Sequence, residues 1–186
     1  MCGLFSARAT RSAASSGADR LRAARHGSDR IARLVLVAPT TPFLVMTEDN
    51  PDAVPKTAID AQLAEIVQDY PGWLAANEAP FFMADTPDIT RAWIREMMLN
   101  VPLPVALGCR KTIAFADLRA AAARIDRPTL IVQGDRDASA PLELTGAKTA
   151  KLIQGSRLEV YQDAPHALPL THSARLVSDL LAFMAG

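Results

Sequence analysis

The sequence predicts an α/β fold: a parallel sheet of about three strands with a block of helices inserted after the first. Three observations predict it. Residues 31–39 form an apolar run without alternation, as a strand covered on both faces requires. Strand and helix patterns alternate by short links from residue 129 onward, which argues parallel strands with crossover helices. Between these regions, residues 43–115 carry helical periodicity and no strand signal.

The first strand lies within the run 31–39 and ends at Pro39. Residues 40–55 read as a loop punctuated by Pro42, Pro51 and Pro55. A helix is predicted over 57–69, because Ile59, Leu63 and Ile66 fall at i, i+4 and i+7, and Pro71 is expected to stop it. Residues 73–76 read as a helical turn and 79–83 as an apolar loop. Asp88 or Thr90 can cap a helix running to about Leu99, with Ile89, Trp93 and Met97 on one face. Helical stretches follow at 103–113 and 117–123. A strand over 129–132 leads to a helix over 142–153, with Gly155 at its C-cap. A strand over 157–161 and a helix over 172–184 close the chain, the latter with Leu176, Leu180 and Phe183 on one face.

The chain of 186 residues has the size of one domain. Its formal net charge of zero gives no electrostatic case for nucleic acid or an anionic membrane as partner. No apolar run approaches the roughly 20 residues of a membrane span. Cys2 and Cys109 make no disulfide framework, which fits free thiols in a reducing, cytoplasmic compartment. The three histidines His26, His166 and His172 lack cysteine or carboxylate partners at ligand spacing, so no metal or other cofactor is expected. His172 reads as a helix N-terminal residue and His26 as a loop residue.

Chemistry concentrates after the last two strands. Gly134-Asp135-Arg136-Asp137-Ala138-Ser139-Ala140-Pro141 follows one, and Ala164-Pro165-His166 follows the other. In open parallel sheets, sites form beyond the carboxyl ends of the strands. Neighbouring strands would let Asp137 accept the imidazole Nδ1–H of His166, fixing its tautomer and stabilising the imidazolium formed on proton uptake. Asp135 suits a turn or cap, leaving Asp137 as the deeper residue. Pro141 and Pro165 stiffen both loops.

With Arg25-His26-Gly27-Ser28, residues 34–44 (Leu-Val-Leu-Val-Ala-Pro-Thr-Thr-Pro-Phe-Leu), Asn50-Pro51-Asp52 and Gly155-Ser156-Arg157, these loops resemble the C-terminal portion of an α/β-hydrolase. The chain is most similar to the cofactor-free haloperoxidase/arylesterase (perhydrolase-like) group, over about residues 25–186. The resemblance implies a serine hydrolase acting on a small-molecule ester or acyl substrate, with Asp137 as acid and His166 as base. It implies a partial hydrolase core over 29–42 and 116–186 and a helical cap over 43–115. Phe43 and Phe82 would line an acyl pocket beneath that cap, whereas Trp93 reads as ordinary core.

One part of the family pattern is not found. The resemblance would set a Gly-x-Ser-x-Gly elbow shortly before Arg25, and no such pattern occurs. Ser6, Ser12, Ser15 and Ser16 lie near that place, but the elbow glycines do not flank them. His166 is followed by Ala167, where the family often has Gly. Residues 1–28 are rich in Ala, Arg and Ser, a composition of targeting peptides and equally of GC-rich DNA read out of frame. One permitted set of codons for residues 8–15, read one nucleotide earlier, encodes Gly-His-Ser-Ile-Gly-Gly-Glu. The expectation is a truncated or frameshifted hydrolase of impaired activity, whose first strand has one bare edge and self-associates. The alternative is a non-catalytic fragment that pairs this edge with another chain.

Overall fold

A strand buried on both faces must be apolar at every position, and Arg33–Val37 (β2) and Thr129–Gly134 (β3) nearly are. In the computed structural model, which describes residues 31–186 and a short strand Ala13–Ala14 (β1), they pair in parallel with each other. Arg157–Tyr161 (β4) completes a sheet of order β1-β2-β3-β4. Side chains alternate between two cores. Val35, Val37, Leu130, Val132 and Tyr161 pack with Leu168 and Leu176 on one face. Leu34, Leu36 and Ile131 pack with Ala122 and Ile153 on the other. Leu130, Ile131 and Val132 are wholly buried, each stabilising the fold by about 1.5–3 kcal/mol relative to exposure.

The sheet has one strand more than expected. Ala13 and Ala14 pair in parallel with Arg33 and Leu34, so the expected bare edge of β2 is covered over its first two positions. Two alanines carry no apolar pattern to read; backbone hydrogen bonding alone defines such a strand. The readings made on Ser6, Ser12, Ser15, Ser16 and on Arg25 to Ser28 lie outside the described residues.

Helices α1 (Lys56–Gln68), α2 (Tyr70–Ala76), α3 (Asp88–Leu99) and α4 (Leu103–Phe115) form the insertion between β2 and β3, with a 3₁₀ turn at Ala79–Phe81. Pro71 does not merely stop α1. It stands in the first turn of α2, where its missing N–H costs nothing, and Asp69 caps that helix by accepting the Gly72 N–H at 2.9 Å. On α3 the expected inward face is also corrected. Ile89 and Trp93 are 78% and 53% exposed, while Ile94 is buried with Met97 and Met98 packed beside it. Apolar residues lie on two stripes of this helix, and contact with Phe82 and Ala167 selects the second. Trp93 is therefore a surface residue. Neither Asp88 nor Thr90 caps α3, which starts after Pro87 without a side-chain cap.

The short α5 (Arg119–Ala122) leads into β3, and α6 (Gly146–Leu152) links β3 to β4. The turn after α6 contains Gly155 at φ +74°, the left-handed conformation glycine adopts without strain. After β4 come α7 (Leu168–Thr171) and α8 (Ser173–Ala185), with His172 at the α8 N-cap. Among the described residues, no helix is long and apolar enough to cross a membrane.

Candidate active site

Register brings the two loops level. Gly134 pairs with Tyr161, so β3 and β4 end side by side. The segments beyond then cross. Asp135 N–H donates to Tyr161 O, and Arg136 N–H to Ala164 O, each at 3.1 Å. The crossing is so close that a Cβ on Gly134 would collide with the Ala164 carbonyl. Only glycine lets the two strand-end loops approach this way.

Past the crossing, the chain turns Asp137 inward while Asp135 and Arg136 stay exposed. The Asp137 and His166 side chains are 0% and 5% exposed, and His166 Nδ1 lies 2.7 Å from Asp137 Oδ2. A carboxylate only accepts hydrogen bonds, so Nδ1 carries the proton. The second carboxylate oxygen, Oδ1, accepts the Ala140 N–H at 2.7 Å. Nε2 of His166 has no hydrogen-bond partner among the described residues. It is the ring nitrogen able to take a proton. The arrangement is an imidazole oriented by a buried carboxylate, one nitrogen committed and the other available.

The insertion closes on this pair. Ala167 N–H donates to Phe81 O at 3.1 Å, and the Phe81 ring lies 5.2 Å from the His166 ring. Arg91 holds the segment in place by donating to Met83 O and Thr86 O while lying over the Phe82 ring. Phe82 itself is buried against Ile94 and Ala167, and its neighbour Phe81 stands at the histidine. Phe43 is half-buried, packs with the cluster of Val45, Ile59, Leu63 and Ala114, and lies under the Arg119 guanidinium. Arg119 bridges Asp117 and Asp49. The Asp49 carboxyl is held below the usual range by its Thr47 hydroxyl bond and by Arg119, and Asp117 by Arg119.

Sequence reasoning missed two residues at this site, Phe81 and Gln133. Gln133 is the penultimate residue of β3, a strand covered on both faces, and a wholly buried amide there is a signal in itself. Among the described residues, no group of histidine, cysteine and carboxylate side chains could hold a metal ion.

No protein-family model matches the chain. The fold is that of a bromoperoxidase from Bacillus anthracis, with a TM-score of 0.88 and 24% identity over 94% of this chain and 67% of that one. An esterase from Exiguobacterium antarcticum gives 0.85 and 23%, covering 91% and 63%. In sequence, the chain is 34% identical over 165 residues to a putative non-heme chloroperoxidase of Synechocystis sp., covering 86% of this chain and 60% of that protein. It is 30% identical over 170 residues to a bifunctional esterase/perhydrolase of Acinetobacter calcoaceticus, covering 87% and 60%. Sheet and strand-end loops are those of the α/β-hydrolase fold, which the chain shares with these structures. Within it, the chain is similar to the non-heme haloperoxidases and esterases, and spans about 60% of the length of the curated relatives it matches.

Proposed function

We propose that Asp137 and His166 are the acid and base of an acyl-transfer site of the esterase or perhydrolase type. The 2.7 Å contact between His166 Nδ1 and Asp137 Oδ2, buried where two strands end, carries this reading. His166 Nε2 would take the proton of an attacking hydroxyl as that oxygen bonds to the ester carbonyl carbon. It would return the proton to the departing alcohol as the carbon–oxygen bond breaks. Water, or a peroxide in a perhydrolase, would then release the acyl group. The helices over 43–115 act as the cap, with Phe81 as the wall beside the base and Phe43 and Phe82 supporting the pocket. A cytoplasmic location and a small-molecule ester substrate complete the proposal.

The nucleophile is the weak member. The sequence has no Gly-x-Ser-x-Gly elbow, and the proposal assigns this chain impaired activity on that ground. Ser15 is the serine to examine, since it directly follows β1 and precedes Gly17 by two positions. The experiment combines p-nitrophenyl acetate hydrolysis with fluorophosphonate labelling read by mass spectrometry. The expected result is turnover at background level and no labelled serine. His166-dependent labelling of Ser15 would overturn the impairment and leave the acid–base assignment intact. The nucleotide sequence at residues 8–15 tests the frame reading separately: codons incompatible with Gly-His-Ser-Ile-Gly-Gly-Glu reject it. Beyond Leu34, β2 has no strand partner on the β1 side among the described residues, so sedimentation velocity should find oligomers; a clean monomer would reject self-association through that edge.

A further inference from the structure

We infer that Gln133 is a positioning residue for the Asp137–His166 pair, an inference that rests on reading that pair as acid and base. Gln133 lies on the rigid strand β3, wholly buried. Its Nε2 reaches the Ala140 carbonyl, Thr145 Oγ1 at 3.0 Å and Asp137 Oδ2 at 3.4 Å. All three are oxygens. The opposite amide orientation would set Oε1 against a carboxylate and a carbonyl that cannot donate, so Nε2 faces them. A Cβ on Gly146 would collide with Oε1, so the start of α6 holds the amide from behind.

A relay follows from these contacts. Gln133 grips the Ala140 carbonyl, the Ala140 N–H grips Asp137 Oδ1, and Asp137 Oδ2 accepts His166 Nδ1–H. The loop from Asp137 to Ala140 is thereby tied to the sheet at both ends. Gln133 never touches Nε2 of His166, and it acts through Asp137. Thr149, on α6, is also buried, with its hydroxyl 2.7 Å from Thr41 O, and its hydroxyl has no bond to Gln133, Ala140 or Asp137. It provides a control for a purely structural role.

The test reads the His166 tautomer from its ring ¹⁵N shifts, without substrate. In the unaltered chain the Nδ1–H tautomer should dominate. Gln133→Met preserves bulk and removes both donors, and should lower the ratio of Nδ1–H to Nε2–H about tenfold, the scale of one charge-assisted hydrogen bond. Thr149→Val should lower the melting temperature and leave the ratio unchanged. An unchanged ratio in folded Gln133→Met overturns the inference. Should that variant not fold, Gln133→Asn, which draws the amide back by one methylene, should shift the ratio in the same direction, and an unchanged ratio there is equally decisive. A predominantly Nε2–H tautomer in the unaltered chain would instead reject the acid–base pair itself. Absent ester hydrolysis would bear on neither outcome.

Discussion

The strand-end loops and the helical insertion face each other across Phe81 and Ala167, yet they are held in different ways. The loops are fixed by backbone. Two main-chain hydrogen bonds cross between them, a glycine permits the crossing, and both carboxylate oxygens of Asp137 have partners. The insertion is fixed by its own small apolar cluster and by surface pairs such as Arg95–Glu78 and Arg119–Asp49, and it exposes Ile89, Trp93 and Val105. Exposed pairs of this kind contribute little. The difference teaches where specificity of geometry resides. Asp137 and His166 occupy the part fixed by main-chain contacts, and Phe81 belongs to the part held by side-chain packing.

The largest expected effect breaks the crossing. Gly134→Val forces a branched side chain into the Ala164 carbonyl and should cost more than about 4 kcal/mol, leaving no cooperative urea transition. Near-normal stability would show that the loops do not depend on this approach. Leu63→Ala, in the cluster of the insertion, should cost about 3 kcal/mol in the same assay and leave the His166 tautomer unchanged. A changed tautomer would mean that the two regions are coupled more tightly than their contacts indicate.

Smaller effects come from titration. Burial, and then the bond donated to Asp179, raise the Tyr161 phenol above its ordinary value of 10.0. A raised folded value means this stability is complete below pH 10 and is lost as pH rises beyond it. Tyr161→Phe should remove up to about 1.4 kcal/mol per pH unit of that alkaline slope, measured by urea denaturation across the range. The smallest effect lies at Arg119. Asp49 and Asp117 have lowered folded values, so their contribution is present above the usual carboxylate range and is lost as pH falls through the folded values. Arg119→Gln should lower the melting temperature slightly at pH 7, and the difference should fade as pH falls through the folded values of Asp49 and Asp117.

What the sequence made legible follows the same division. Unbroken apolar runs specify β2 and β3 because both faces are covered, and loop prolines with an acid-then-base order pointed to Asp137 and His166. Elements that depend on contact were harder to read. The inward stripe of α3 was chosen by Phe82 and Ala167, which no periodicity within the helix reveals. The pair Ala13–Ala14 forms a strand by backbone pairing without an apolar signature. Phe81 was passed over for Phe82 because adjacent rings in a loop carry no signal of which one turns toward the histidine. Gln133 was readable in principle, as a lone amide near the end of a strand otherwise buried and apolar.

The most direct measurement is the His166 tautomer in the unaltered chain and in Asp137→Asn. The Ala140 N–H donates to Oδ1, so the asparagine carbonyl would take that position and its amide group would face His166 Nδ1. The ring must then accept at Nδ1 and carry its proton on Nε2, the nitrogen a base needs free. The account predicts Nδ1–H in the unaltered chain and Nε2–H in the variant. The same tautomer in both would contradict it.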